Sequence, residues 1–294
     1  MNKASPNSLS HGSISVIGRR RSMEDVVTVV PGVVHLEGDR PTPSYDFYAV
    51  YDGNGAYTVA RKCKERLHHI VAEQFLIFGL DEWDRVMSSS FARVDEEFVK
   101  DEFGGITSLT DFEELVGSTA LVVLVGAEEI VVANCGDSKA VLSCNGAAVT
   151  LSRDTKLKRP NEKTRPVIKF VEGNVTSLNN THVLGNRESM EPYVIPAPEV
   201  TVHKRRKTDN FLVIASNGLW DVISNETACD IVRKCSLNEA VNRKVLEGVV
   251  GNYAAASAAM LVELALARGS KDNISVIVVE LQHVTNANGN YHST

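Results

Sequence analysis

Acidic residues recur at one kind of place in this chain, the end of an apolar, strand-like run. Residues 47–51 lead into Asp52-Gly53, residues 130–135 into Gly136-Asp137, and residues 211–215 into Ser216-Asn217-Gly218. In the fourth case the order inverts, and Asp272-Asn273 precedes the run 274–279. Three of these four ends carry a carboxylate and one carries an amide. Glu24-Asp25, shortly after Arg20, adds two acids at the edge of a first pair of strand-like runs. Carboxylates gathered this way form an all-oxygen ligand set, which suits hard cations such as Mg2+ or Mn2+. Singly, each acid is also an ordinary turn residue, since aspartate is common where strands stop.

Elements of two periods must hold these ends in place. Residues 13–17 alternate apolar and polar, which predicts a strand buried on one face, and further strands are expected at 26–30, 46–51, 120–125, 130–135, 140–143, 211–215 and 274–281. Between them the period changes. Val59, Cys63, Leu67, Ile70, Val71 and Phe75 line one face of a helix ending near Gly79, and a second helix covers 82–101 with Trp83, Val86, Met87, Phe91, Val94 and Phe98 inward. Residues 225–234 read as a helix capped by Ser224 or Asn225, and 254–268 as a helix stopped by Gly269. Strands and helices come in blocks, so the predicted class is α+β rather than an alternating βαβ fold. Residues 155–186 carry no period and read as a loop-rich connection. Trp83, Trp220, His68, His69 and His182 read as packing residues, because no metal-ligand spacing links the histidines. Lys204-Arg205-Arg206-Lys207 reads as an exposed loop between two strands, with a nuclear-import signal as the alternative.

The bulk numbers restrict the function classes. With 294 residues, 43% hydrophobic and 23% charged, the chain resembles an ordinary globular protein; a single domain over 11–283 is expected, with tails at 1–10 and 284–294. A formal charge of -6 argues against nucleic-acid binding, which needs a basic footprint. Five cysteines without a CxxC pair suggest neither a disulfide framework nor a zinc site. No apolar run approaches membrane-spanning length, and Asn2 excludes N-myristoylation. The expectation is a soluble, monomeric protein of the cytoplasm, the nucleus or both.

Several strings carry a family resemblance over nearly the whole chain. The R-x-x-M-E-D string from Arg20 to Asp25, Asp52-Gly53-Asn54-Gly55, Gly117-Ser118-Thr119-Ala120, Ala133-Asn134-Cys135-Gly136-Asp137-Ser138, Ser216-Asn217-Gly218-Leu219-Trp220-Asp221 and Lys271-Asp272-Asn273-Ile274-Ser275 occur in one order. In that order they resemble the metal-dependent type 2C protein phosphatases. Cys63-Lys64-Glu65-Arg66-Leu67-His68 and Ser90-Phe91-Ala92-Arg93-Val94-Asp95 are further similar to the plant subgroup that acts with abscisic-acid receptors. The resemblance implies a central sandwich of two antiparallel β-sheets flanked by helices, with two Mg2+ or Mn2+ ions at one end. It implies that Asp52 bridges the ions, that the Gly53 carbonyl and Glu24 serve one with Asp25 beside them, and that Asp272 and position 217 hold the other. Asp137 would join position 217 in a weaker third site, and Arg20 would clamp the phosphate of a phosphoserine or phosphothreonine substrate. In such a site a water held by the ions becomes a nucleophile near neutral pH.

The chain departs from that pattern at the chemistry. Asn217 stands where the family has aspartate, removing one negative charge from a site for dications. Asn54 stands where the family has a histidine placed to protonate the departing alkoxide, a role worth roughly 10²- to 10⁴-fold. Ala56 replaces a glycine. His182-Val183-Leu184-Gly185 runs almost directly into Glu191-Pro192-Tyr193-Val194, without the family's intervening loop. Leu178 takes the position of the plant subgroup's receptor-inserting tryptophan, so abscisic-acid receptor binding does not carry over. The expected function is therefore a type 2C phosphatase-like protein with strongly impaired or absent hydrolysis, able to bind a phosphoprotein or protein kinase. The alternatives are an active enzyme using Mn2+ with Asn217 as ligand, and a scaffold independent of catalysis.

Overall fold

The computed structural model describes residues 9–34, 44–54, 57–103, 116–152, 168–170, 198–242 and 252–281. Among these residues, twelve strands and five helices follow in the order β1 (His11–Val16), β2 (Asp25–Val34), β3 (Tyr45–Asn54), α1 (Thr58–Phe78), α2 (Trp83–Phe103), β4 (Val116–Ser118), β5 (Ala120–Val125), β6 (Glu129–Cys135), β7 (Lys139–Cys144), β8 (Ala147–Thr150), β9 (Ile168–Phe170), β10 (Glu199–Lys204), β11 (Asp209–Ala215), α3 (Asn217–Trp220), α4 (Asn225–Asn242), α5 (Tyr253–Ala267) and β12 (Ile274–Glu280). They form two antiparallel sheets. One runs β1-β12-β11-β7-β8; the other runs β10-β6-β5-β3-β4-β9, with β2 paired to β3. The predicted α+β sandwich of two antiparallel sheets flanked by helices is the observed architecture.

Period two explains the layering. Along β3, Phe47, Ala49 and Tyr51 face α1 and α2, whereas Tyr48 and Val50 face the opposite sheet. β5 divides the same way, with Ala120, Val122 and Leu124 outward and Leu121, Val123 and Val125 inward. On the other sheet Phe211, Val213, Ala215, Ile274, Val276 and Val278 pack under α4 and α5, and Leu212, Ile214, Ile277 and Val279 complete the layer between the sheets. Strands buried on both faces read as near-continuous apolar runs, which is how β5, β6, β11 and β12 appear in the sequence.

Several predicted boundaries and assignments are corrected. β8 is an additional strand, and β10 is the strand implied before the 204–207 loop but given no bounds: both lie at sheet edges with many exposed side chains, so neither shows a full apolar run. Lys204 is the last residue of β10 rather than part of a loop, and α4 continues to Asn242. The basic side chains there are partly engaged, Lys204 with Glu129 and Arg205 with the Gly126 carbonyl. Most of the aperiodic stretch 155–186, with Leu178 and His182, lies outside the described residues, as do Ala56, Glu191, residues 1–8 and the tail 284–294; Leu9 and Ser10, expected in the N-terminal tail, are instead tied to Asp46 and Glu280, and β9 is a three-residue strand within 155–186. Predicted stops hold: α1 ends at Gly79, and the Thr227 N–H donates to Ser224 Oγ at the start of α4. All five cysteines are free thiols. No described helix is long and apolar enough to cross a membrane.

Candidate metal and phosphate site

The alternation that fills the layer between the sheets also delivers polar groups to its end. Asp52 continues the phase of Tyr48 and Val50, and Asp25 that of Val27 and Val29, so both acids follow apolar residues of the interlayer. Ser216 and Ser275 likewise continue the phases of Leu212 and Ile214 and of Ile277 and Val279. Where the apolar interlayer stops, a polar pocket floor begins.

On the β2–β3 side, Asp25 and Asp52 lie opposite each other in register, each only 5% exposed. The Gly53 N–H donates to the Glu24 carbonyl at 3.2 Å, which fixes Glu24, Asp25, Asp52 and Gly53 as one unit. The link between β4 and β5 contributes Thr119, whose N–H donates to the Asp52 carbonyl at 2.9 Å and whose Oγ1 accepts the Asp52 N–H at 3.3 Å. The Glu24 carboxylate accepts a hydrogen bond from Ser22 Oγ at 2.8 Å. Asn54 is the last residue of β3, two positions beyond Asp52.

The opposite side is built from the ends of β7, β11 and β12. Ser216 is fully buried; its Oγ donates to Asp25 Oδ2 at 2.8 Å and accepts the Ser275 N–H at 3.1 Å, so one hydroxyl bridges the two sheets. β11 ends at Ala215 as predicted, and Asn217 opens the short helix α3, which is not among the helices expected from the sequence. β11 pairs with β7 as far as Ala215 and Lys139, so Asn217, just past the end of β11, and Asp137, just before β7, leave the same edge of this strand pair. Gly218 lets α3 lie directly on β12: a Cβ there would sit 2.0 Å from the Asn273 carbonyl oxygen.

Asn273 joins the halves. Its Oδ1 accepts the N–H groups of Glu24 and Asp25 at 2.8 and 3.4 Å, and its Nδ2 donates to the carbonyls of Ile17 and Ser22 at 2.8 and 3.0 Å. Gly18, at a φ of 62°, turns the chain between β1 and Arg20; a Cβ on it would meet the Asp272 carbonyl oxygen at 2.1 Å. That close approach places Arg20 beside Asp272, where Nη2 donates to Oδ2 at 2.9 Å. The other oxygen of Asp272 accepts the Asn273 N–H at 2.8 Å.

The structure therefore brings Glu24, Asp25, Asp52, Gly53, Asp137, Asn217, Asp272 and Arg20 to one end of the sandwich. Sequence reasoning missed Ser216, Asn273 and Thr119 as the groups that hold them. The motif strings contained all three, but residue type alone does not reveal which backbone group an amide or hydroxyl will meet.

The donor set fits a hard cation in chemistry, since it offers only oxygen. Asn217 supplies the sharpest test. It is 2% exposed, and neither Oδ1 nor Nδ2 has a hydrogen-bond partner among the described residues. Leaving a buried amide unsatisfied costs about 1–3 kcal/mol, so the position calls for an ion or an ordered water. The cage is not closed, however: among the described residues no three His, Cys, Asp or Glu side chains are gathered closely enough to hold a metal as they stand. Asp25 is turned to Ser216, and both oxygens of Asp272 are engaged.

Residues 9–274 match the family model for protein phosphatase 2C. The chain is 44% identical to probable protein phosphatase 2C 8 of Oryza sativa subsp. japonica, covering 95% of this chain and 76% of that protein. It is 40% identical to protein phosphatase 2C 37 of Arabidopsis thaliana, covering 92% and 71%. Among solved structures, the catalytic domain of the serine/threonine protein phosphatase PstP in complex with two manganese ions superposes with a TM-score of 0.54 at 18% identity, over 93% of this chain and 98% of that one. The serine/threonine phosphatase of S. agalactiae gives a TM-score of 0.59 at 18% identity, over 93% and 100%. These two share the fold.

Proposed function

The chain belongs to the protein phosphatase 2C family, whose members are metal-dependent phosphatases, and we propose that this one keeps the family's site in a form that hydrolyses phosphoserine and phosphothreonine poorly. The observation that carries the reading is Asn217, a buried neutral amide with both polar atoms unpartnered among the described residues, at the start of α3 where it follows β11 and meets β12. In this reading Asp52, the Gly53 carbonyl and Glu24 would hold one Mg2+ or Mn2+, with Asp25 beside them. Asp272 and Asn217 would serve a second ion, and Asp137 would join Asn217 in a weaker third site.

Charge makes the two positions unequal. Glu24, Asp25 and Asp52 give the first a surplus of negative charge. At the second, Arg20 offsets Asp272 and Asn217 contributes none, so a dication gains far less there. When bound, the ions supply Lewis-acid charge and an activated water for in-line attack on phosphorus.

The protein's own groups have three tasks. Arg20 takes the phosphate oxygens through its planar fork, Ser216 keeps Asp25 oriented, and Asn273 holds the Glu24-Asp25 backbone in place. Asn54, at the acid position, has no acidic proton for the departing serine or threonine alkoxide, a loss of roughly 10²- to 10⁴-fold. A site that recognises phosphate and releases it slowly suits a binder of phosphoproteins or of a protein kinase. A second reading is an active Mn2+ enzyme, favoured by the unpartnered Oδ1 of Asn217, which is a usable neutral oxygen ligand.

Phosphate release with Mn2+ separates the readings. The wild type should turn over a phosphothreonine peptide far more slowly than an aryl phosphate, because a phenolate leaves without a proton. Asn217→Asp combined with Asn54→His should raise peptide turnover by at least about tenfold. Brisk peptide hydrolysis by the wild type, unchanged by the double substitution, would establish the second reading instead.

A further inference from the structure

Arg20 and Asp272 have different tasks in the proposed site, one toward phosphate and one toward metal, yet they are bonded to each other. Nη2 of Arg20 lies 2.9 Å from Asp272 Oδ2, while Oδ1 of the same carboxylate takes the Asn273 N–H. An ion that uses Oδ2 must therefore share that oxygen with the guanidinium, against its positive charge, or displace it. The arginine side chain is 53% exposed and the carboxylate only 16%, so Arg20 lies over Asp272 on the solvent side. The turn leading into Arg20 is fixed by Gly18 packed on the Asp272 carbonyl and by the Arg20 N–H donating to the Ile17 carbonyl at 3.3 Å. The pairing is thus built into the backbone rather than left to a long side chain.

We propose that Arg20 is a latch on the second metal position: bonded to Asp272 it disfavours the ion, and drawn away by a phosphate group it opens that position. Phosphate and the second divalent ion then bind cooperatively, each favouring the arrangement the other needs. The inference rests on the site reading given above and adds an order of loading to it. A phosphorylated substrate prepares its own second ion, and the substrate-free protein stays under-loaded. The latch can transmit only what the pair is worth. For a partly exposed ion pair that is about two- to fivefold in affinity, and the coupling is the same in both directions.

The experiment is calorimetric titration of the chelator-stripped full chain with Mn2+, with and without sulfate as a tetrahedral dianion at matched ionic strength. Asp272→Asn identifies which part of the isotherm belongs to the ion at Asp272. Arg20→Gln should bind that ion about two- to fivefold more tightly than wild type. Sulfate should tighten wild-type binding by up to the same factor and leave Arg20→Gln unmoved. Arg21→Gln removes an equal charge from an exposed neighbour and should behave as wild type. Equal affinities for wild type and Arg20→Gln, an equal gain in Arg21→Gln, or no response to sulfate would each overturn the latch and leave the metal site standing. Absence of Mn2+ binding in every variant would instead overturn the site reading, and the latch with it.

Discussion

Replacing Asn217 by aspartate should reverse its effect on stability according to whether metal is present. At about 4 Å and an effective dielectric near 20, two unit charges interact by roughly 4 kcal/mol, and a dication doubles that gross attraction for a new carboxylate. Against it stands near-complete burial, with 2% exposure at this position. Desolvation of a buried charge costs several kcal/mol, leaving a net gain on the order of 2–4 kcal/mol for the ion. At about 1.4 kcal/mol per tenfold, that is roughly thirty- to a thousandfold in Kd. Without metal the same carboxylate is an uncompensated buried charge, and the chelated variant should be less stable than wild type by about 1–3 kcal/mol. Urea denaturation in chelator and in excess Mn2+, with calorimetric titration, reads both terms. The reasoning fails if the variant shifts stability in one direction under both conditions, or if Mn2+ affinity does not rise.

Other substitutions probe the frame of the site. Asp95, on α2, has its carboxyl pushed up to about 6 by burial and by Glu96. The unfolded chain gives up this proton first as pH rises, so folding loses stability between about pH 4 and 6 and the loss persists above. Asp95→Asn should therefore stabilise the protein at about pH 7.5 by roughly 1–2 kcal/mol, the partly exposed carboxyl being screened by solvent, and the gain should vanish near pH 4 in urea melts. Glu129 accepts hydrogen bonds from Tyr45, Trp83 and Lys204; burial raises its pKa, but these donors together bring it below its ordinary value. Glu129→Gln should cost about 1–3 kcal/mol in denaturant titrations with Mn2+ affinity unchanged. Asn273→Ala strands the Ile17 and Ser22 carbonyls and frees the Glu24 N–H, so it should cost about 2–4 kcal/mol and also weaken Mn2+ binding at least about tenfold, read by the same two methods.

The parts legible from sequence are those where one periodicity dominates. β5 and β12 were plain because both faces are buried, and α1 because its apolar stripe ends at a glycine. β8 and β9 were hidden, the first because its side chains are mostly exposed and the second because three residues cannot display a period. α3 was hidden because Ser216-Asn217-Gly218 reads as a turn, whereas packing of Gly218 on Asn273 makes it a helical start. For the site, the acids could be named because strand ends and motif order marked them. Their holders could not: the four hydrogen bonds of Asn273 depend on how β1, β2 and β12 meet in space, and nothing local encodes that.

Asn273 closes contacts across sequence separations of 249, 251 and 256 residues, and β1 has β12 as its neighbour in the sheet. Translation proceeds at about 5–20 residues per second, so the opening segment waits many seconds for the strand that completes it. Until residues 272 and 273 have emerged, the Glu24-Asp25 backbone lacks the Asn273 amide that braces it and Arg20 lacks its Asp272 partner. A nascent chain, or one cut short before residue 272, should then bind divalent ions more weakly than one that includes the Asp272 carboxylate and the Asn273 brace.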